Sequence, residues 1–176
     1  MTLSVRASRQ GEESERSRGI IVLGMHRAGT STITSVLANL GFELPGEPIP
    51  AGWDNPKGYW EPREVVETHD AFLHAIHRSW SDPRPLHPRH FEGSAAKTAV
   101  ESLRRFAEQA VLPCSQWVLK DPRMCRLLPL WRPLLEAERV DLHVLLIIRS
   151  PLAVAASLQK RDGFSTEKSL LLWLRH

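Results

Sequence analysis

Short β-branched apolar runs alternate with stretches of helical periodicity along most of the chain. Gly19-Ile20-Ile21-Val22-Leu23 has the length and residue types of a buried strand, and Gly24 stops it. After a small polar segment, Ile33, Val36, Leu37 and Leu40 recur at helical spacing, and Gly41 supplies a stop. Residues 42–62 break the pattern with Pro45, Pro48, Pro50, Pro56 and Pro62. A connection this long inside a compact domain is uncommon and often functional. A helix is expected from about Glu61 to Trp80, with Val65, Val66, Phe72, Leu73 and Ile76 as its apolar stripe. The breaker segment Ser81–His90 separates it from a second helix over about Ser94–Val111. Trp117-Val118-Leu119 reads as a short strand ending at Lys120. Met124–Glu138 is apolar and mostly helical, with Pro129 and Pro133 expected to kink or restart it. Leu142–Ile148 is the clearest strand. Ser150 then caps a helix whose first residue is Pro151, and Glu167–Arg175 is a last amphipathic segment.

Strands alternating with helices imply a parallel sheet covered on both faces, an α/β fold. Residues 1–18 carry many charges (Arg6, Arg9, Glu12, Glu13 and Arg16 among them) and little to bury, so a disordered tail is expected there. Residues 19–176 are then one α/β domain. With so few clear strands, and with Leu170, Leu171, Leu172 and Leu174 left as an uncovered face, that domain is expected to be incomplete at its C-terminal end. The same leucine face suits a homo-oligomer.

Composition narrows the class without naming it. The 176 residues are 42% hydrophobic and 24% charged, an ordinary globular balance. No apolar run approaches the ~18 residues of a membrane span. The net charge of +3 suits an anionic ligand but is too small to argue for nucleic acid. Cys114 and Cys125 form neither a CxxC pair nor a disulfide framework, and Met1–Gln10 lacks the apolar stretch of a signal peptide. A cytoplasmic location is the expectation.

The most informative segment is Gly24-Met25-His26-Arg27-Ala28-Gly29-Thr30-Ser31, set between a strand and a helix. Its spacing is that of a phosphate-binding loop, Gly-x-x-x-x-Gly followed by a hydroxyl residue. Glycines let the backbone curl until several N–H groups face one anion, and the helix N-terminus adds about half a positive charge. One residue departs from the nucleotide triphosphatase pattern: the lysine slot after the second glycine holds Thr30, and the cation is Arg27 instead. A triphosphatase uses that lysine to reach the β/γ phosphates. Its loss argues against ATP or GTP hydrolysis but not against binding a phosphate or sulfate.

A second anion site is readable at the strand Val144–Ile148. Arg149 stands at its carboxyl end, where open α/β sheets bind ligands. Ser157 lies two turns along the following helix, on nearly the face of Ser150, so an arginine fork and a hydroxyl can close on one phosphate.

These two motifs together resemble the PAPS-dependent sulfotransferases, PAPS being 3′-phosphoadenosine 5′-phosphosulfate. Asp54-Asn55-Pro56-Lys57-Gly58-Tyr59-Trp60-Glu61 and Leu119-Lys120-Asp121-Pro122-Arg123 are similar to segments of the bacterial branch of that family. The resemblance covers about residues 19–165. It implies a P-loop NTPase-like three-layer α/β/α fold with a central, mostly parallel sheet. It implies PAPS as co-substrate, no metal, and a hydroxyl or less often an amine of a carbohydrate or small metabolite as acceptor. Nucleic acid and membrane are not implied as partners.

Carried over residue by residue, the resemblance gives Gly24, His26, Arg27, Ala28, Gly29, Thr30 and Ser31 to the 5′-phosphosulfate, and Arg149 and Ser157 to the 3′-phosphate. Lys120 is the second cation near the leaving oxygen. The family takes its general base from Glu or His, which makes Glu61 the first candidate and His26 the second, ahead of Asp54 and Asp121. Each has a plainer reading: an acid in a first helical turn complements the dipole, and strand-end cations are often only solvated. A P-loop kinase or nucleotide hydrolase, and a non-catalytic nucleotide-binding remnant, remain as alternatives. His69, His74 and His77 share a helix without an HExxH pattern, so a metal site there is weakly supported. Of the six tryptophans, Trp53 and Trp60 sit in the Pro-rich loop and are candidates for an acceptor or adenine pocket.

Overall fold

The β-branched run near residue 20 becomes the central strand of the sheet. The computed structural model describes residues 17–137 and 140–176. Strand β1 (Arg18–Leu23) pairs in parallel with β2 (Gln116–Lys120) on one side and β3 (Asp141–Leu146) on the other, in the order β2-β1-β3. The register sets Val22 opposite Lys120 and Leu23 opposite Leu146. Lys120 and the chain leading to Arg149 therefore flank the segment that leaves β1.

Alternate residues of the pleat feed two cores. Ile20, Val22 and Val118 face α1 (Thr30–Asn39), which lays Ile33 and Leu37 on them. Ile21, Leu23, Trp117 and Leu119 face the opposite way, into a core shared with α2 (Arg63–Ala75), α3 (Ser94–Phe106) and α4 (Met124–Ala137). Helices α5 (Pro151–Asp162) and α6 (Thr166–Arg175) pack together, and Val154, Leu158 and Leu172 enclose Met25 and Ala28. The described residues thus form an α/β fold of one three-stranded parallel sheet and six α-helices, compatible with an α/β/α sandwich. None of these helices is long and apolar enough to cross a membrane.

Several elements differ from the pattern in the sequence, each for a physical reason. The tail expected over 1–18 lies outside the described residues for 1–16. Ser17 and Arg18 belong to the fold: Arg18 opens β1, and the Ser17 hydroxyl donates to Cys114 O while accepting from the indole N–H of Trp117. Helix α2 stops at Ala75 rather than Trp80 because His77 adopts φ 56 and Arg78 N–H bonds back to Leu73 O, a Schellman-type ending without glycine. The end of the Ser94–Val111 helix is a wider turn over Ala107–Val111. One helix, α4, runs through Pro129 and Pro133, so no restart occurs.

Exposure also departs from expectation. Val36 and Leu40 of the α1 repeat are exposed, as are Val144, Leu145 and Leu146 of β3, which is an edge strand among the described residues. The sheet is therefore not covered on both faces along β3. The leucine face of α6 is only partly bare: Leu172 is fully buried, whereas Leu171 and Leu174 are exposed.

The topology itself marks a crevice. α1, which follows β1, lies on one face, and α4, which follows β2, lies on the other. Open sheets bind ligands at such a switch point, beyond the carboxyl ends of the two strands. The Gly24–Ser31 segment and Lys120 both stand there.

Candidate functional site

Three left-handed residues curl the chain between β1 and α1: Gly24 at φ 156, Arg27 at φ 69 and Gly29 at φ 102. The turn is closed by Ala28 N–H bonding Met25 O at 3.0 Å, and Gly24 N–H donates to Cys125 Sγ at 3.1 Å. Burial pushes the Cys125 thiol up to about 11, so it serves as an uncharged acceptor. Thr32 and Ile33 N–H bond Gly29 O at 3.1 and 3.3 Å, and the start of α1 carries the positive end of its dipole.

The two glycines do different work. A Cβ on Gly24 would lie 2.8 Å from both Ile147 O and Thr30 Cγ2, whereas one on Gly29 would meet nothing within 4 Å. Gly24→Ala is expected to cost about 3 kcal/mol of unfolding free energy, from overpacking and backbone strain together. Gly29→Ala should cost about 1 kcal/mol, from strain alone. Urea unfolding of the two variants checks this contrast.

The sheet brings both anion motifs to this loop. Arg27 Nε donates to Ser157 Oγ at 2.9 Å, and Arg149 Nη1 donates to Arg27 O at 2.9 Å. The carbonyl of Arg149 accepts from the indole N–H of Trp173 at 3.0 Å, which ties the arginine to α6. On the other flank Lys120, almost fully buried, donates to Ser31 Oγ at 3.1 Å and Tyr59 O at 2.9 Å and pairs with Glu61 Oε1 at 2.5 Å. Burial pushes the Glu61 carboxyl up, and the ammonium of Lys120 pulls against that rise.

Arg123 stands behind this pair, 3.7 Å from Glu61. It forks onto Asp70 at 2.7 and 3.1 Å and reaches Asp121 at 3.0 Å. Asp121 also accepts from His69 Nδ1 at 2.6 Å, and Trp131 donates to His69 Nε2 at 2.9 Å. The indole N–H therefore fixes the ring proton of His69 on Nδ1. Burial alone would raise the Asp121 carboxyl, but Arg123 and His69 outweigh it and hold the group far below the usual carboxylate range. This is a rigid ionic wall under the Lys120–Glu61 pair.

A cleft of about 620 Å³ opens over these groups, within the range of small-molecule sites. His26, Arg27, Gly29, Thr30, Ser31, Glu61, Lys120 and Arg149 all line it. Gly24, Ala28 and Ser157 do not. They shape the loop from behind: Gly24 by its close approach to Ile147, Ala28 by burial among Met25, Val154 and Leu158, and Ser157 by its bond to Arg27. Ser157 thus bonds Arg27, whose backbone carbonyl in turn accepts from Arg149. Trp53, 82% exposed, stands on the rim, and Trp60 is not part of the lining.

Sequence reasoning gave no role to Arg161, Asp162 or Trp80, which line the cleft, or to the clamp formed by Arg123 and Asp70. Arg161 pairs with Asp54 at 3.6 Å and stacks on the Trp80 ring, 5.3 Å from its centroid. The Leu119–Arg123 segment was the one signal that could have pointed to Arg123.

His26 presses its ring against Trp80, centroids 4.3 Å apart, with His176 beyond at 6.0 Å. Among the described residues its Nε2 is buried without a hydrogen-bond partner, as is Nε2 of His176. Burial, with Arg123 adding to it, holds His26 well below the ordinary imidazole value, and burial lowers His176 to about 4. In the unfolded chain both rings take up a proton near pH 6.5. The unfolded state thus binds more protons between pH 6.5 and about 4, so stability is full above that window and falls as the pH drops through it. A shift of the His176 size corresponds to about 3 kcal/mol. Denaturation midpoints from pH 7 to pH 4 should show the loss, and His176→Asn should flatten the profile.

Comparison with protein-family models, with curated proteins and with solved structures finds no match to this chain.

Proposed function

We propose that this chain is a PAPS-dependent sulfotransferase domain of P-loop NTPase-like architecture. It moves a sulfuryl group from PAPS to a hydroxyl, or less often an amine, of a carbohydrate or small metabolite, without a metal. The observation that carries the reading is the meeting of two separately encoded anion motifs. Arg27, from the loop after β1, is bonded to Ser157, and Arg149, from the segment between β3 and α5, is bonded to the backbone of Arg27. A donor with phosphate at 3′ and phosphosulfate at 5′ of one ribose needs two neighbouring cationic sites, and a site for a single phosphate needs only one.

The chemistry follows from the groups in the cleft. The acceptor oxygen forms a bond to sulfur, the bond from sulfur to the 5′-phosphate oxygen breaks, and adenosine 3′,5′-bisphosphate leaves with the electron pair. Lys120 and Arg27 neutralise the charge that grows on the leaving oxygen and spreads over the sulfuryl oxygens. Glu61 takes the acceptor proton. Burial raises its pKa, which makes the carboxylate a stronger base than an ordinary one. His26, uncharged and with a buried, unpartnered Nε2 among the described residues, is the alternative base.

The reading is tested by incubating the full chain with sulfur-labelled PAPS and a panel of sugar and small hydroxyl acceptors, with and without EDTA. Labelled product that survives EDTA supports it. Phosphoryl transfer from Mg-ATP with no sulfuryl transfer would favour a kinase instead.

A further inference from the structure

Every cation and hydroxyl assigned above to the 5′ end of the donor, apart from buried Thr30, is held by one segment of the Pro-rich connection. Its base is pinned to itself: Ile49 N–H bonds Glu61 O at 2.8 Å, Arg63 N–H bonds Glu47 O at 2.8 Å, and Pro48 and Pro62 lie opposite each other. Its tip, residues 51–60, contains no buried residue. The tip is fastened by polar contacts to the anion loop. Arg27 Nη1 bonds Asp54 O at 3.3 Å and faces the Asp54 carboxylate at 3.6 Å. Ser31 Oγ bonds Tyr59 O at 3.2 Å and accepts from Asn55 Nδ2 at 3.3 Å, while Lys120 also bonds Tyr59 O. The Asp54 carboxylate further accepts from the Tyr59 hydroxyl and pairs with Arg161.

We infer that this segment is a self-competing strap, with Asp54 standing as a built-in anion on Arg27. The inference deepens the proposed function, since it concerns how the same anion site is entered. An incoming phosphate or sulfate must take Arg27 and Ser31 from Asp54, Asn55 and Tyr59, and doing so loosens the tip. Arg149 has no carboxylate partner among the described residues, so a donor can dock there before the strap yields. Lys57, exposed on the tip, provides a reporter for that loosening.

The test uses inorganic pyrophosphate as probe, so that it reads the loop alone whatever the nucleoside preference. Pyrophosphate should bind Asp54→Asn about tenfold more tightly than the unmodified chain. Asn55→Ala, which removes the strap's bond to Ser31 Oγ and removes no charge, should move the affinity in the same direction by a smaller factor and guards against misfolding of the first variant. Saturating pyrophosphate should also increase tryptic cleavage after Lys57 relative to other sites. Unchanged, weaker or undetectable binding in both variants would overturn the inference, and so would protection of Lys57. Loss of adenosine 3′,5′-bisphosphate binding with pyrophosphate behaving as stated would instead remove the donor assignment and leave the strap standing.

Discussion

Replacing Arg149 with alanine is expected to weaken binding of adenosine 3′,5′-bisphosphate about 100-fold while changing the affinity for adenosine 5′-phosphate by no more than about 5-fold. The size follows from the contact. A guanidinium fork on a phosphate dianion makes charge-assisted hydrogen bonds worth about 1.5–3 kcal/mol, and alanine supplies none. The asymmetry follows from position. Arg149 leaves β3 beside the loop rather than within it, and its bond to the Arg27 carbonyl gives the loop only modest support. Arginine at this point is not interchangeable with lysine, because two parallel donors are needed. Titration calorimetry with the two nucleotides reads both numbers. Equal losses for both would mean that Arg149 merely props up the loop.

The second large effect is expected at Lys120. Lys120→Ala should reduce sulfuryl transfer about 10²–10³-fold, the usual cost of losing one preorganised group aimed at developing charge. It should also destabilise the fold by about 3–5 kcal/mol, because Glu61 is then left buried without its nearest partner. The companion variant Glu61→Gln keeps the shape of the pair and removes only the carboxylate charge. If Glu61 is the base, transfer falls by about 10²–10⁴ in Glu61→Gln and no longer rises with pH. If His26 is the base, Glu61→Gln lowers stability but retains the rise. Rate against pH for the three proteins, with melting curves alongside, decides between these outcomes.

The parts of the site that follow from local rules were legible in the sequence. Gly24 and Gly29 mark where a strand must turn sharply into a helix, and a β-branched run before them fixes the strand. Arg149 was legible for the same reason, as the first charge after an apolar run and directly ahead of a Ser-Pro helix start. What the sequence did not disclose depends on which distant elements meet. Val36 and Leu40 keep a helical repeat, but periodicity identifies a face without saying whether another element covers it, and both are exposed. The same holds for Val144 and Leu146 on the edge strand. Asp54 reaches Arg27 and Arg161, and His69 reaches Asp121 and Trp131, across long sequence separations. Charge pairs of this kind leave no periodic trace. The early end of α2 was hidden because His77 takes the left-handed position that glycine usually advertises.

The ionic wall under the cleft bears on how the site keeps its shape. Lys120, Glu61, Arg123, Asp121 and His69 are all partnered, and a fully satisfied buried network holds its members in one geometry. In the proposed sulfuryl transfer such a network would supply positioned charge without having to reorganise.

The proposed site has two cationic cradles that grip one nucleotide carrying a 3′-phosphate. It is tested most directly by thermal denaturation of the full chain with adenosine 3′,5′-bisphosphate or with ATP, each with and without Mg²⁺. The bisphosphate, at about 100 times its dissociation constant, is expected to add roughly 2.7 kcal/mol of stability regardless of Mg²⁺, and ATP far less. Stabilisation by Mg-ATP with none from the bisphosphate would contradict it.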